Sequence, residues 1–549
     1  MAFLDTTDRS PDNQSAKIVS KTALPDSDRL DAMSNLDGHP TRVARALLVV
    51  GLVLLLLGPT VHILFGSSSA GPSSVHALGL DDAYISYRYA KNLTEGNGLV
   101  FNPEERVEGF TNPLTVFLAA AWLLGLEPSR AYWLVSFSNL AFLLAGAVVY
   151  LSLMRRTLGE MSASLAWLAL GACVPLWAWT ASGIETIQVL SLQLLAWSLS
   201  YRREISFRVL VPVFALCVLV RADGFLIPLA LTFCFFQQRR AALGSRCLVT
   251  LFSLLLLRFS LSYCYYGDVL PNTYHAKVAG SLFDRIPRGL SQIVELSAST
   301  GLGPHLTALA ALTACEALAF KTTRRFSFPV IFFVGNVLYY VYIGGDHFGE
   351  RFLLFAFPMG IFSLFRLVQG PRTRGWLAVL FPLFLVFQLS PTFHDSRFGY
   401  THDRYDCLIS LGRYLGDRHP GAVLAAGAAG KLAFFSELQV LDMRGLTDRH
   451  IAHVEIESFT NPGHDKIDPD YVLSRRPDLI AGWMTPDRDM NMGITKERYE
   501  PRGYRLRYLV NAGKTSRAVN IVDVSTTDRV EIERYLRGPY RFAVLEAGN

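Results

Sequence analysis

Two adjacent carboxylates, Asp81 and Asp82, are the side chains of this sequence whose types and position most directly suggest chemistry. They stand shortly after the first long apolar segment and directly before a tyrosine-rich run over residues 83–90. A carboxylate can take the proton of an attacking hydroxyl as a general base, and paired carboxylates can bind a divalent cation through their oxygens. An aspartate at the start of a helix can instead cap it. The residue types alone leave catalysis, cation binding and capping open.

Basic side chains recur in the short polar segments that separate later apolar runs. We predict that they bind the phosphate of a substrate, because guanidinium, ammonium and imidazole groups donate hydrogen bonds to phosphate oxygens. Contact with lipid headgroups would explain each of them singly. Arg221 could instead pair with Asp223 in its own turn, because a charge at membrane depth usually has a partner. The predicted phosphate-binding residues are Arg221, His275, Lys277, His347 and Arg351.

Other polar residues in these segments are predicted to contact the substrates. Two of them have simpler explanations. Glu185 stands at a helix start, where the helix dipole favours a carboxylate, and Asp346 follows two glycines in what could be only a turn. Each signal is weak singly, and the shared location favours a common site. The predicted substrate-binding residues are Tyr84, Arg88, Glu108, Asn112, Glu185, Asp223, Asn272 and Asp346.

The elements that must position these side chains are apolar helices. Of the 549 residues, 51% are hydrophobic and 18% are charged, and a soluble protein would carry about 25% charged residues. The apolar runs are concentrated in residues 46–390, so the predicted fold class is a multi-pass α-helical membrane protein. About eleven transmembrane helices are expected, near residues 46–65, 131–153, 162–180, 184–200, 206–220, 224–238, 247–264, 302–319, 328–343, 352–368 and 375–390.

Pairs of basic residues between the apolar runs indicate the cytoplasmic side of the membrane. They predict an N-terminus in the cytoplasm and place every polar segment described above on the outer side of the cytoplasmic (inner) membrane. The apolar residues 113–125 would break the alternation as a span, so they are predicted to form a helix in the outer interface. The basic pairs lie at 42 and 45, 155–156, 202–203, 239–240, 321–325, and 372 and 374.

Composition divides the chain into three parts. Residues 1–45 are rich in Ser, Asp and Thr and are predicted to be a disordered cytoplasmic segment. Residues 46–390 form the membrane domain, with its first outer loop over 66–130. Residues 391–549 are predicted to fold as a soluble extracytoplasmic α/β domain. Its predicted elements are strands at 422–426, 440–442, 478–483 and 519–524 and a short helix at 432–435.

The sequence disfavours several classes of function. No P-loop or Gly-x-Gly-x-x-Gly fingerprint occurs, no basic-aromatic pattern suggests nucleic acid, and the seven cysteines lack the paired spacing of a disulfide framework or metal site. An outer site without a nucleotide-binding motif favours a lipid-linked substrate. A transporter or flippase of a lipid-linked saccharide is the alternative to an enzyme. Transporters place polar residues near the bilayer midplane, whereas here they gather at one face, which favours the enzyme.

As a set, the polar segments resemble those of GT-C fold glycosyltransferases, and most closely those of the AftB-type arabinofuranosyltransferases of mycobacteria. The first outer loop carries most of the resemblance, with LDDAYISYRYAKNL at 80–93, GNGLVFNP at 96–103 and RVEGFTNPL at 106–114. The resemblance continues at residues 183–186, 221–224, 271–277 and 344–346, and more loosely at 442–448 and 463–466.

The resemblance implies a GT-C-like catalytic membrane domain that transfers a sugar from a polyprenyl-phosphate donor. The acceptor would be a hydroxyl of a cell-envelope glycan or another molecule outside the membrane, and arabinofuranose is the nearest precedent for the sugar. Asp81 or Asp82 would be the base of an inverting displacement, and the basic residues would stabilise the departing phosphate. A hexose or aminoarabinose donor fits these residues equally. No cofactor follows from the resemblance, and a divalent cation stays open because relatives with this fold differ.

Overall fold

The computed structural model describes residues 41–65, 79–369, 373–389, 406–456, 463–511, 519–538 and 541–548. Most of the predicted N-terminal segment, residues 1–40, lies outside the described residues, as does the beginning of the first outer loop. Within the described ranges, helices α1 to α16 form the membrane domain. Residues 406–548 form the C-terminal domain, in which helices α17 to α22 accompany one β-sheet.

The helices of the membrane domain follow one another with short connections. Their bounds are α1 Arg42–Phe65, α2 Asp81–Thr94, α3 Pro113–Leu123, α4 Ala131–Leu158, α5 Glu160–Gly171, α6 Val174–Thr180, α7 Thr186–Ser200, α8 Phe207–Val220, α9 Leu226–Gln237, α10 Ala241–Tyr266, α11 Asn272–Lys277, α12 Leu282–Ser299, α13 Gly303–Thr323, α14 Phe328–Ile343, α15 Ala356–Leu367 and α16 Leu377–Leu389. Each of the eleven predicted spans coincides with one of these helices or, for 162–180, with the pair α5 and α6.

Three described helices are long and apolar enough to cross a membrane, over Arg42–Leu64, Pro128–Leu158 and Ala241–Tyr266. Helices α5 and α6, bent by 54° relative to each other, would be a fourth span if they are taken together. The other predicted spans are apolar helices that are shorter or, in α13, interrupted by charge. The helical membrane fold therefore agrees with the prediction, while the number of eleven crossings and the interfacial position of α3 stay predictions.

Helix α12, Leu282–Ser299, is an element that the apolar runs do not reveal. It begins with a capping box in which the carboxylate of Asp284 accepts hydrogen bonds from the backbone and side chain of Ser281. Its Leu282 and Phe283 are exposed, and its buried face packs on α14. An amphipathic helix of this kind lacks a continuous apolar run, which is why the hydrophobic segments did not predict it.

The C-terminal domain contains a six-stranded mixed sheet with the strand order β2-β1-β3-β6-β4-β5. Strand β1 runs parallel to β2 and to β3, whereas β6 is antiparallel to β3 and β4, and β5 is antiparallel to β4. The strands are β1 Val423–Ala426, β2 Gln439–Asp442, β3 Leu479–Trp483, β4 Tyr504–Asn511, β5 Asn520–Asp523 and β6 Arg541–Ala547.

The helices of this domain are mostly short. They are α17 Asp406–Arg418, α18 Lys431–Ser436, α19 Arg449–Ala452, α20 Pro469–Ser474, α21 Lys496–Tyr499 and α22 Arg529–Leu536. The four predicted strands and the predicted helix at 432–435 are confirmed, and the partly parallel α/β character with them. Strands β4 and β6 were not predicted. They pair with each other and complete the antiparallel half of the sheet.

One hydrophobic core continues from the membrane helices through α2 into the C-terminal domain. At the junction, the ring of Tyr84 on α2 packs against Phe434 and Phe435 of α18, with ring centroids 5.3 and 5.4 Å apart. The C-terminal domain is therefore seated on the first outer loop by apolar contact. This contact fixes the position of the sheet relative to Asp81 and Asp82, which begin α2.

Candidate active site

A cavity of about 120 Å³ lies between the membrane domain and the C-terminal domain. The membrane domain contributes Asp81 and Asp82 at the start of α2, Lys277 at the end of α11, and His347 from the turn after α14. These side chains are far apart in the sequence, and four of the predicted site residues thus meet in one place. The C-terminal domain lines the opposite wall with Gly427, Ala428, Ala429, Asp442, Arg444, Leu446, Gly463, His464, Gly482, Trp483, Asn491, Met492 and Phe542.

The opposite wall is the edge of the sheet at which the three parallel strands end. Gly427 follows β1, Arg444 follows β2, and Trp483 closes β3. In open α/β sheets the crevice beyond the carboxyl ends of parallel strands is the common place for a ligand. The parallel pairing of β1 with both neighbours therefore brings the ligand-binding edge of the sheet to the carboxylates of the membrane domain.

Asp81 serves as a contact between the two domains. Its carboxylate oxygens accept hydrogen bonds from the backbone N–H groups of Gly430 at 3.0 Å and Lys431 at 2.7 Å. Gly430 fits because it lacks a side chain, since a Cβ there would lie 1.8 Å from the carbonyl oxygen of Asp81. Burial raises the pKa of Asp81 above its usual value, while the backbone N–H of Lys431 acts in the opposite direction. Each of its two carboxylate oxygens thus already accepts a hydrogen bond from the C-terminal domain.

Asp82 differs from its neighbour because its carboxylate lines the cavity without comparable backbone hydrogen bonds among the described residues. Its Oδ2 lies 3.7 Å from Nζ of Lys277, and both side chains remain 26% exposed. An ammonium group in this position can also donate hydrogen bonds to an anion bound in the cavity. The geometry therefore makes Asp82, rather than Asp81, able to meet an entering hydroxyl.

Two basic side chains of the C-terminal domain, Arg444 and His464, extend the wall that Lys277 and His347 begin. The rings of His347 and His464 lie 3.9 Å apart between centroids, and an η nitrogen of Arg444 donates to the carbonyl of His464 at 3.1 Å. Neither Arg444 nor His464 was among the predicted site residues. Their segments did belong to the looser part of the family resemblance, and a polar residue directly after a buried strand is the signal that could have identified Arg444.

Arg221 and Arg351, predicted to bind phosphate, lie in a buried charge cluster and do not line the cavity. Arg221 forms a two-pronged ion pair with Asp223, with N–O distances of 2.5 and 2.7 Å, and its Nη1 lies 3.9 Å from Glu185. Arg351 donates to Asp346 at 2.7 Å. Both guanidinium groups also contact the ring of Phe352. Arg221 therefore pairs with Asp223 in its own turn, which was the alternative to phosphate binding.

Asp346 belongs to the same cluster. Burial by itself would raise the pKa of Asp346, but Arg351 and Lys277 hold it below the usual value. Glu185 accepts a hydrogen bond from Asn112 at 2.8 Å, and Asn112 in turn accepts one from Ser86 at 3.0 Å. These predicted substrate-binding residues are buried and partnered inside the protein. Through Asn112 and Ser86, Glu185 supports α2, whose first turn carries Asp81 and Asp82.

Two other predicted substrate-binding residues attach the C-terminal domain to the membrane domain. Arg88 is buried and donates to the carbonyls of Ala433 and, at 2.6 Å, Leu438. Asn272 donates from its side-chain amide to the carbonyl of Gly445 at 2.8 Å. Neither residue lines the cavity. Arg88 and Asn272 thus act by docking the C-terminal domain on the membrane domain.

Tyr84 and Glu108 complete the predicted set, and they also lie outside the cavity lining. Tyr84 is buried between the two domains against Phe434. Glu108 is buried and forms an ion pair with Arg258 of α10. Both residues therefore hold the scaffold around the site.

His275, predicted to bind phosphate, does not line the cavity and belongs to a separate group of side chains. Its Nε2 lies 3.2 Å from Asp268, and its ring centroid is 4.3 Å from that of His453. Within the described parts of the chain, these three residues are the group of His, Cys, Asp and Glu side chains close enough to hold a metal, with their ligand atoms all within 4.8 Å of one another. Asp81 and Asp82 do not belong to it.

Comparison with known proteins covers both domains. Residues 397–531 match a family model described as a domain of unknown function, DUF8728. None of the curated proteins is similar in sequence to this chain.

Two crystal structures share the overall architecture. ArnT from Cupriavidus metallidurans bound to undecaprenyl phosphate has a TM-score of 0.50 at 13% identity over 80% of this chain and 93% of its own. The oligosaccharyltransferase of Archaeoglobus fulgidus in complex with Zn and sulfate has a TM-score of 0.50 at 12% identity over 88% of this chain and 73% of its own. Both are GT-C proteins, and at this identity the likeness concerns the fold alone. The chain therefore has a membrane GT-C fold, as predicted.

Proposed function

We propose that this protein is a glycosyltransferase that moves a sugar from a polyprenyl-phosphate donor to an acceptor hydroxyl on the outer side of the cytoplasmic membrane. One observation carries the proposal: a carboxylate, Asp82, and a basic wall that includes Lys277 share a cavity between the membrane helices and the C-terminal domain. A base and a cationic site side by side are what displacement of a phosphate by a hydroxyl requires.

The reaction is a single displacement with inversion at the anomeric carbon. The acceptor oxygen forms a bond to that carbon while its proton passes to the carboxylate of Asp82. The bond between the anomeric carbon and the phosphate oxygen breaks, and its electron pair leaves with the polyprenyl phosphate. Lys277 and His347 stabilise the negative charge that develops on the phosphate. Asp81 positions Asp82, since it fixes the first turn of α2 against Gly430 and Lys431.

The lipid-linked donor agrees with the architecture. ArnT, which shares this fold, was crystallised bound to undecaprenyl phosphate. A polyprenyl chain would lie between the membrane helices and present its phosphate at the cavity, with the C-terminal domain outside and the N-terminus in the cytoplasm. The AftB-type resemblance makes arabinofuranose the first donor sugar to test and a cell-envelope glycan the first acceptor.

A divalent cation, if the protein uses one, would be held by Asp268, His275 and His453. Imidazole nitrogens and a carboxylate oxygen suit Zn²⁺ or a similar transition metal. The side chain of His453 is oriented by a hydrogen bond between its Nδ1 and the carbonyl of Arg449 at 2.8 Å, which leaves Nε2 for a ligand. Metal analysis of the purified protein, before and after treatment with a chelator and in the His453→Ala variant, tests this assignment.

The decisive experiment measures transfer from radiolabelled polyprenyl-phosphate sugars to a crude cell-envelope acceptor by membranes that contain each variant. Asp82→Asn should lower the rate at least 100-fold, as loss of a general base does, with unchanged expression. Asp81→Asn is the matched control. It keeps one acceptor oxygen for the C-terminal domain and should retain measurable transfer.

Full activity in Asp82→Asn would overturn the assignment of the base. If the wild type transferred sugar from none of the donors offered, the proposal that this protein is a glycosyltransferase would be wrong. The transporter of a lipid-linked saccharide would then be tested by movement of the labelled lipid across proteoliposomes that contain the protein.

A further inference from the structure

The wall of the cavity that faces Asp82 has a different character from the membrane side. The membrane domain brings Asp82, Lys277 and His347, which are charged or titratable groups. The edge of the sheet also carries charged and titratable groups, and to these it adds aromatic and amide groups, among them Trp483, Asn491 and Phe542. A pocket that combines an aromatic surface with a few placed polar groups is typical of a site for a small organic ligand.

Trp483 is the last residue of β3, and hydrogen bonds with Asn491 hold its backbone in place. Its N–H donates to the side-chain oxygen of Asn491 at 3.1 Å, and its carbonyl accepts from the N–H of Asn491 at 2.8 Å. Its ring meets the buried ring of Phe542 edge to face, with centroids 5.2 Å apart and planes at 90°. The indole is therefore fixed by contacts on one side, while it stays only half-buried and lines the cavity.

The neighbouring glycine shows that this arrangement depends on close approach. A Cβ at Gly482 would lie 2.6 Å from the side-chain oxygen of Asn491. Asn491 uses that oxygen for the backbone of Trp483. The amide nitrogen of Asn491 and the indole N–H of Trp483 have no hydrogen-bond partner among the described residues. Two donors thus stand next to an aromatic surface at the cavity.

The donor and the acceptor must reach the cavity from different sides. The polyprenyl chain of the donor lies among the membrane helices, so the donor phosphate and its sugar approach from the side of Lys277. The acceptor comes from outside the membrane. It reaches Asp82 along the wall that the sheet provides, because that wall belongs to the domain on the outer side.

We infer that Trp483 and Asn491 form the acceptor subsite and determine the acceptor. The subsite takes a sugar ring, whose C–H face packs on the indole while its hydroxyls accept hydrogen bonds from the indole N–H and the amide of Asn491. This inference rests on the proposed function for its role in transfer. It places acceptor selection in the C-terminal domain and the displacement chemistry in the membrane domain.

The test compares Trp483→Ala and Trp483→Phe with the wild type in nanodiscs. The acceptors are an α-linked arabinofuranose tetrasaccharide and an α-linked mannopyranose tetrasaccharide, each with the polyprenyl-phosphate donor that the wild type uses. Trp483→Ala should raise the KM for the acceptor at least tenfold and leave the KM for the donor within twofold. Trp483→Phe, which keeps an aromatic face, should recover most of the loss. Tyr471→Ala is the matched control, since Tyr471 is a half-buried aromatic residue of the same domain that does not line this cavity.

Binding without donor separates this inference from the proposed function. Saturation-transfer NMR of the tetrasaccharides should show contact with wild-type protein, and the contact should be lost in Trp483→Ala but retained in Tyr471→Ala. If the protein showed such contact but transferred no sugar, the inference of an oligosaccharide subsite would stand and the proposed transferase function would be rejected. The opposite result is normal transfer by Trp483→Ala with an unchanged acceptor KM, or with a change in the donor KM alone. It would reject the acceptor subsite while the proposed transferase function stands. Absence of oligosaccharide contact with the wild type would also reject the subsite.

Discussion

The charge cluster around Arg221 and the cavity around Asp82 are built from the same residue types in different surroundings. In the cluster, the side chains of Arg221, Asp223 and Glu185 are only 3%, 2% and 4% exposed, and the arginine is paired with both acids. In the cavity, Asp82 and Lys277 are each 26% exposed and stand 3.7 Å apart. A charge that is buried with its partner stabilises the scaffold, whereas a charge that keeps access to solvent can meet a ligand.

The difference explains why residue type and membrane side did not separate the two regions. Both regions lie on short polar segments at helix ends that the basic pairs predict to face the same side, and each contains an arginine or lysine near an aspartate. What separates them is the number of partners supplied by distant parts of the chain. Four substitutions measure this difference, in order of decreasing expected effect on either stability or sugar transfer.

Removal of the central cation should have the largest effect. Arg221→Ala leaves Asp223 and Glu185 buried without their partner, and we expect it to lower the free energy of unfolding by about 3–5 kcal/mol. Thermal unfolding in detergent measures the change, with Arg325→Ala, an exposed arginine, as the control. Wild-type stability combined with lost sugar transfer would instead support a place for Arg221 in the phosphate site.

The corresponding change in the cavity should affect transfer and not stability. Lys277→Met removes a cation that faces the departing phosphate and should lower kcat/KM about 100-fold, the effect of losing one donor to a developing anion. The free energy of unfolding should change by less than about 0.5 kcal/mol, because the side chain is partly exposed. Steady-state kinetics and thermal unfolding on one preparation give both values. A large loss of stability would assign Lys277 to the scaffold.

A substitution at the junction between the domains should have an intermediate effect. In Gly430→Ala, the added Cβ would overlap the carbonyl of Asp81, so the loop must shift at a cost of about 1–3 kcal/mol. Hydrogen exchange of the amides of Gly430 and Lys431, which bond to Asp81, should become faster. Gly125→Ala, where a Cβ meets nothing within 4 Å, is the control. Unchanged exchange at both amides would show that the loop accommodates the methyl group.

The smallest effect is expected at the exposed rim of the same junction. Lys91 of α2 pairs with Glu437 of the C-terminal domain, whose side chain is 70% exposed. Lys91→Met should therefore lower the free energy of unfolding by only about 0.2–1 kcal/mol, and the difference from wild type should fall with added salt. Unfolding curves at low and high ionic strength test both statements. A loss of several kcal/mol would mean that this pair carries the docking of the domains.

Local sequence patterns determined the elements of this protein. Apolar runs predicted the helices of the membrane domain, because a segment long enough to cross a bilayer must satisfy its backbone internally. Short apolar runs predicted β1, β2, β3 and β5. The amphipathic α12 and the strand β4 were missed because charged residues interrupt their hydrophobic positions, whereas β6 was missed although its apolar residues 542–545 are contiguous.

The sequence by itself determined the fold class, and it identified a carboxylate pair and several basic groups as candidates for one site. Only the tertiary structure decided which of these residues reach the cavity. Asp81 and Asp82 are neighbours of identical type, and they differ because Gly430, 349 residues away, donates to one of them. Arg444 and Trp483 enter the site because parallel pairing of β1, β2 and β3 brings three strand ends to one edge. Side-chain roles of this kind depend on contacts between distant segments, which no local pattern contains.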